Sequence, residues 1–557
     1  MAPEDWKRVG AGYQELRRNF SWNLPLEFNM GVACSDAQVP TKLALVEVDQ
    51  SGAVGEYTFG EIANLSNRVA NGLAGLGIEV GDRVGIVLPQ RLETGIAHLA
   101  LWKLGAISVP LSGLFGPDAL RYRLGDCTAK AVITDAASLE RVAEVGRDLS
   151  ELQIIVVDDV ADMQHGGHVP FSELAKGSAR LEAAHTTPDT PGVLIYTSGT
   201  TGPPKGALHG HRVLLGHLPG YDLMFDFFPQ AGDRVWTPAD WAWIGGLMDA
   251  LMPAWYHGAT VVAARRTGSF DSEWALDLIA DHRIKVSFLP PTALKMMRQA
   301  GIHRPDVGLR VVMSGGESLG AEMLAWADEH LGVKVNEILG QTEANLIIGC
   351  CASAWETKPG SMGRPYPGHD VALIDEGGRA VAAGEVGEIA VRAPDPVMFL
   401  EYWKMPKATV EKFMEGPDGA RWLRTGDLGR ADEGGYLYFV SRNDDVINSA
   451  GYRIGPAEIE ECLTAHPAVA MAAVIGVPDQ LRGQVVKAFV QLVDGNEATP
   501  ELEGGISAHV RNRLAAYEYP RHIEFVRELP LTTTGKIRRN ELRRREEEKL
   551  SGEADKG

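Results

Sequence analysis

The chain has 557 residues, of which 45% are hydrophobic and 23% charged, with a formal net charge of −20. This length predicts two to four domains, and the composition is that of an ordinary soluble globular protein. The acidic balance excludes nucleic acid and an anionic membrane surface as general partners, although a local grip can still hold an anion against the global field. Five cysteines (Cys34, Cys127, Cys350, Cys351, Cys462) form no CxxC pair, which predicts reduced, buried thiols in a cytoplasmic protein. Met1 to Arg18 carries charges and no apolar run, so no secretory signal is expected, and no stretch of about 18 apolar residues predicts a membrane span.

Residues 1–45 are mixed. Gly10-Ala11-Gly12 hints at a dinucleotide fingerprint but lacks a preceding strand and a third glycine. From Phe59, residues Ile62, Leu65, Val69 and Leu73 recur at helical spacing, and Gly75 and Gly77 close the helix. Val84–Leu88, Ala106–Leu111, Lys130–Thr134 and Ile154–Val157 read as short buried strands, with a helix over Thr94–Leu104. This alternation predicts βαβ units around a buried parallel sheet.

The apolar run Val193–Tyr196 leads into Thr197-Ser198-Gly199-Thr200-Thr201-Gly202-Pro203-Pro204-Lys205-Gly206. Three glycines allow close backbone approach, four hydroxyls add donors, and Lys205 adds a mobile charge. Read alone this is a phosphate grip or a polar surface loop, and it is not the common P-loop, which needs Gly-Lys-Ser/Thr. Strands are expected again at Thr260–Val262, Val286–Leu289 and Arg310–Met313. Ser314-Gly315-Gly316-Glu317 and Gly340-Gln341-Thr342-Glu343 follow short apolar runs, where ligands sit in open α/β sheets. From Pro367 to Tyr438, short alternating segments with glycine turns read as antiparallel strands. A compact last unit begins after Asp445, with a helix near Pro456–Ala465, strands at Val469–Val477 and Val486–Val493, and a charged helical tail over Arg538–Lys549 that reads as a solvated face.

Six motifs stand in order: Thr197–Gly206, Gly340–Glu343, Arg424-Thr425-Gly426-Asp427, Ser441–Ile447, Gly451-Tyr452-Arg453-Ile454 and Thr534-Gly535-Lys536. Together they resemble the adenylate-forming superfamily, specifically its AMP-forming acyl-CoA synthetases, over about residues 45–545. The resemblance implies a large α/β domain of layered sheets with a β-rich subdomain (1–443) and a small mobile α/β domain (444–557) that turns about Asp444. It implies ATP, Mg²⁺ and coenzyme A as cofactors and a small carboxylic acid as substrate. Thr197, Ser198, Gly199, Thr200, Thr201, Gly202 and Lys205 would hold the β- and γ-phosphates. Thr342 would bind the α-phosphate and Glu343 the Mg²⁺. Gly316 and Glu317 would border adenine and ribose, and Glu337 belongs to the same nucleotide set. Asp427 would accept both ribose hydroxyls, Arg442 and Arg453 would lie near ribose and phosphates, and Lys536 would bridge the acid and the α-phosphate. Gly451 would line the pantetheine tunnel.

The acid side falls on Trp236–Gly246, with Trp241, Trp243, Ile244 and Gly245 as its wall. Acetate-specific relatives place tryptophan where this chain has Gly340, so the expectation is space for a short- to medium-chain acid there. Leu339 stands where an aromatic often stacks on adenine, and Asn345 adds a polar group that suits an acid with a heteroatom. One of His209, His211 and His217 is expected at the acid, in preference to a zinc cluster. An aryl-CoA ligase and a stand-alone enzyme loading a carrier protein are the alternatives. Oligomeric state is not legible.

Overall fold

The computed structural model describes residues 6–49, 51–158, 167–197, 203–264, 268, 270–316, 319–442, 445, 447–449, 452–479, 483–511, 513–514, 519–532 and 535–554. Its strands form four sheets. One begins at the edge strand Val54–Thr58 and runs through Leu43–Val48, Thr260–Ala264, Arg234–Trp236, Val286–Phe288, Val311–Gly315 and Val335–Gln341 to Ala344–Gly349 and Arg364–Pro365. A second is centred on the parallel strands Ile107–Pro110, Arg83–Val87, Ala131–Thr134 and Gln153–Val156.

The parallel centres match the helix–strand alternation, since strands buried on both faces read as continuous apolar runs. The edges differ from it. The strand Pro191–Thr197 turns back antiparallel through Lys205–Gly210, with Thr197 opposite Lys205. Val335–Gln341 likewise pairs antiparallel with Ala344–Gly349. Each motif thus lies between antiparallel strands rather than between a strand and a helix.

The helix Phe59–Gly75 begins at a capping box, in which Glu61 N–H donates to Thr58 Oγ1 and Thr58 N–H donates to Glu61 Oε2, satisfying two otherwise orphaned donors. It buries Ile62, Val69 and Leu73. The helix Leu92–Lys103 is buried at every position but Glu93. Its terminal Lys103 stays buried because Asp36, Ser66 and Asn67 receive its ammonium at 2.6–2.8 Å.

The third sheet is the predicted antiparallel subdomain, with Val371–Ile374, Val386–Ala393, Arg421–Ala431 and Phe413–Glu415 in order and Leu437–Arg442 on Arg421–Ala431. The last sheet is built from Ile447–Ser449, Tyr452–Ile454, Val469–Asp479, Gly483–Leu492 and His522–Phe525. The charged tail forms the helix Arg539–Ala554, but it is not merely a solvated face. Leu542 is buried with Ala473 and Ile475, and Arg539 and Arg543 both pair with Asp445. Among the described residues no helix is long and apolar enough to cross a membrane.

Candidate active site

The hairpin Val335–Gln341/Ala344–Gly349 pairs Gln341 with Ala344, so Thr342 and Glu343 are its two-residue turn. Glu343 is buried. Its Oε1 accepts the hydroxyl of Tyr402, which arrives on the short strand Glu401–Tyr402 paired to the outer edge of Lys205–Gly210. Lys205 Nζ lies 5.2 Å from the centre of the Tyr402 ring. The structure thereby unites the lysine of the first motif with the acid of the second, through a tyrosine that belongs to no motif.

On the other side of the turn, Gln341 Nε2 donates to the Thr425 carbonyl (3.0 Å), and Lys412 Nζ donates to Gln341 Oε1 (2.7 Å). Lys412 is half-buried, and its partial desolvation lowers its pKa against the pull of Glu343, Asp427 and Glu388. It ties the hairpin to the strand carrying Asp427. That strand bends at Gly426, whose N–H donates to Glu388 Oε1 (2.9 Å) while Arg424 clasps Glu388 Oε2. Asp427 and Arg442 face each other across neighbouring strands, with Arg442 Nη1 donating to Asp427 Oδ1 at 2.8 Å. Burial raises the Asp427 pKa, opposed by Arg442 first, then Lys412 and Lys536. Asp427 Oδ1 is thus held by Arg442.

Gly316 ends the strand Val311–Gly315 with φ +97°. A Cβ placed there would lie 3.5 Å from Lys536 Cε, so the lysine stem from the C-terminal domain lies against this glycine. Lys536 is set by a tight turn in which its N–H donates to Thr532 Oγ1 and its carbonyl accepts from Thr532 N–H. Gly535 of the same turn packs on Thr292 of the large domain. Glu337 turns inward: Oε1 accepts Leu319 N–H at 3.0 Å, and burial pushes its carboxyl up to about 7. It braces the loop after Gly316.

On the acid side, Trp243, Ile244 and Gly245 are half-buried, and Trp243 meets Phe115 edge to face at 5.8 Å. Trp241, expected beside them, is enclosed in the core. Trp236 and Trp255 are core residues too. The space reserved at Gly340 is filled: a Cβ there would collide with Asn345 Oδ1 and lie 2.6 Å from Leu346 N. Gly340 sits at a register shift in the hairpin, and its missing side chain serves that close backbone approach.

Ser198, Gly199, Thr200, Thr201, Gly202, Glu317, Asp444 and Gly451 lie outside the described residues, as does the side chain of Arg453. Among the described residues no group of three or more His, Cys, Asp or Glu is placed to hold a metal ion. His209, His211 and His217 are separately buried, and burial lowers their pKa values to about 3, 4 and 4. His217 Nε2 lies 3.2 Å from Asn345 Nδ2. Lys412 and Tyr402 could not be found by motif, because each is carried in from an element some sixty or seventy residues away.

Residues 33–403 match the model of the AMP-binding enzyme family and residues 458–536 that of the AMP-binding enzyme C-terminal domain. The uncharacterised acyl-CoA ligase YtcI of Bacillus subtilis (strain 168) is 36% identical over 510 residues, covering 91% of this chain and 94% of that protein. The mitochondrial acyl-coenzyme A synthetase ACSM4 of Rattus norvegicus is 33% identical over 98% of this chain and 93% of its own. The anthranilate CoA ligase AuaEII, solved with anthranoyl-AMP, superposes with a TM-score of 0.84 at 30% identity, over 95% of this chain and 99% of that one. A benzoate CoA ligase from Burkholderia xenovorans LB400 gives 0.80 at 28% identity, over 93% and 100%. With the turn of Thr342 and Glu343, the Asp427–Arg442 pair and Lys536 gathered at one place, the chain belongs to the AMP-binding enzyme family, in the acyl-CoA synthetase branch of the adenylate-forming superfamily.

Proposed function

We propose that this protein activates a short- to medium-chain carboxylic acid in two steps. The acid's carboxylate attacks the α-phosphorus of ATP: a carboxyl O–P bond forms, the bond from the α-phosphorus to the bridging oxygen breaks, and pyrophosphate leaves. The thiolate of coenzyme A then attacks the acyl carbonyl, and AMP departs with the bonding electrons. Both partners of the first step are anions, so the site's task is chiefly positioning and charge neutralisation. The observation that carries this reading is Lys536 lying against Gly316, close enough to act on Asp427.

In this account Lys536 bridges the carboxylate and the α-phosphate, Thr342 takes the α-phosphate, and Asp427 with Arg442 takes the ribose. Lys205 and the residues Thr197 to Gly202 take the leaving pyrophosphate, with Arg453 near the phosphates. Glu343, with one oxygen on Tyr402, retains a second for Mg²⁺, which suits an ion held by one carboxylate plus substrate phosphates and supplies charge neutralisation when bound. We place the domain boundary at residues 443/444 and the hinge at Asp444. The third sheet ends at Arg442 and the last begins at Ile447, so a rotation there would withdraw Lys536 and open a path for pantetheine past Gly451.

An aryl acid is the second reading, supported by the Trp243–Phe115 pair at the acid wall. The test is AMP release from acids between acetate and decanoate and from benzoate, with coenzyme A present or replaced by carrier proteins. Coenzyme A-dependent AMP release is expected. Turnover only with a carrier protein would replace the ligase reading with a loading enzyme.

A further inference from the structure

The helix Pro117–Asp126 carries none of the six motifs, but its last turn is tied to the ends of three strands that meet at Lys205: Pro191–Thr197, Lys205–Gly210 and Glu401–Tyr402. Tyr122 Oη donates to the carbonyl of Pro204, the residue before Lys205, at 3.0 Å. Asp126 Oδ2 accepts the hydroxyl of the buried Tyr196 at 2.6 Å, and Tyr196 stands opposite Gly206, the residue after Lys205. The Tyr122 and Tyr196 rings meet edge to face at 6.4 Å. The Asp126 carbonyl is among those a helix leaves unpaired at its end. It accepts Trp403 Nε1 at 3.3 Å and Lys404 Nζ at 2.5 Å, and a cation suits that end of a helix.

These contacts bracket one residue. Trp403 N–H donates to the Gly206 carbonyl at 2.7 Å. A Cβ on Gly206 would lie 2.9 Å from Leu194 Cδ1 and 3.3 Å from both Tyr196 Cε1 and Trp403 Cβ, so Tyr196 and Trp403 close tightly on the residue after Lys205. Lys404 has φ +55°, uncommon for a residue with a Cβ. Such a conformation persists where its surroundings hold it, and the ammonium of Lys404 on Asp126 is one such hold. Tyr402, next to Trp403, is the residue that donates to Glu343 and whose ring faces Lys205.

Resting on the ligase reading above, we propose that the last turn of this helix positions Lys205 for the departing pyrophosphate, with Tyr122 and Asp126 as positioning residues that act through the backbone on either side of the lysine. Neither touches a ligand in this account. Tyr122 fixes the carbonyl before Lys205, and Asp126 fixes Tyr196 and Trp403, which close on the residue after it. A displaced Lys205 costs most where pyrophosphate departs, because positioning and charge neutralisation carry that step. Thioester formation from acyl-adenylate and coenzyme A involves no pyrophosphate and does not draw on Lys205.

The test reads the two half-reactions of the full chain separately. Tyr122→Phe keeps the ring and removes only the hydroxyl. It should lower kcat/KM for ATP in acid-dependent ATP–pyrophosphate exchange about three- to tenfold, the range of one neutral hydrogen bond. Thioester formation from a supplied acyl-adenylate should stay within about twofold of wild type, since an interaction made in one step is lost from that step alone. Asp126→Ala leaves the Tyr196 hydroxyl without its acceptor and should lower exchange about 10- to 100-fold, and Asp126→Asn, which keeps an acceptor oxygen, should recover most of that loss. Added to Lys205→Ala, Tyr122→Phe should change exchange by less than about twofold, because residues acting through one another are not additive. No loss with Tyr122→Phe, an equal loss in both half-reactions, or a loss that persists in full beside Lys205→Ala overturns the inference and leaves the ligase reading standing. Absence of acid-dependent exchange in the wild-type protein overturns both. Tyr122→Phe decides even if the Asp126 variants fold poorly.

Discussion

Gly426 has φ +79°, and a Cβ there would lie 3.1 Å from Arg442 Nη2. Alanine in that conformation costs about 1–2 kcal/mol and pushes on the arginine that positions Asp427. Gly426→Ala should therefore raise the KM for ATP roughly tenfold, in the range of that cost, with little effect on the KM for coenzyme A; initial-rate kinetics separate the two. Tyr402→Phe removes the donor to a buried carboxylate, a hydrogen bond worth about 1.5–3 kcal/mol. It should lower kcat/KM for ATP about 10- to 100-fold without loss of fold, which activity assays with a thermal melt check. Motif residues such as Asp427 and Glu343 were legible in the sequence because their spacing along the chain is short and local. Their partners Tyr402, Lys412 and Glu388 were not, because the contacts arise from pairing between strands distant in sequence.

The hairpin Val335–Gly349 bears Thr342 and Glu343. Its turn displays Thr342 and Glu343 only because Gly340 lets the strands close against Asn345 and Leu346. Overpacking of this kind costs about 1–3 kcal/mol, so Gly340→Ala should lower the melting temperature by several degrees. Gly340→Trp should abolish activity with every acid rather than redirect it to acetate. The apolar run before Gly340 and the loop after it could be read from pattern, but the antiparallel return could not: Ala344–Gly349 is as apolar as the parallel strands beside it. Glu337, on the same strand, gives a pH signature. Its carboxyl is raised to about 7 in the folded protein against about 4.3 in an unfolded chain. The fold binds that proton more tightly, so stability is full below about pH 4.3 and falls as pH rises through 7. Glu337→Gln should melt above the wild type at pH 8, and the gain should shrink toward zero near pH 4.5.

For the whole molecule, the loop of Gly535 and Lys536 and the helix Pro456–Thr464 meet the large domain, with Lys536 at Gly316, Gly535 at Thr292 and Glu461 at Gly320. The layered α/β class was evident from helix–strand alternation, and the β-rich subdomain from its glycine-punctuated alternating segments. Lys536 was expected at the acid and the α-phosphate from its motif's resemblance alone, and the tertiary fold lays its stem against Gly316. Asp445, just past the proposed hinge, pairs with Arg539 and Arg543, and on the proposed reading the rotation would fall on the residues before it. We propose that Lys536 serves adenylate formation alone. It is tested by assaying Lys536→Ala in the two half-reactions separately. The prediction is a loss of at least 100-fold in acid-dependent ATP–pyrophosphate exchange, with thioester formation from a supplied acyl-adenylate and coenzyme A within about threefold of wild type, against an upper range of several kcal/mol for a transition-state charge contact. An equal loss in both half-reactions, or exchange that survives the substitution, would contradict it.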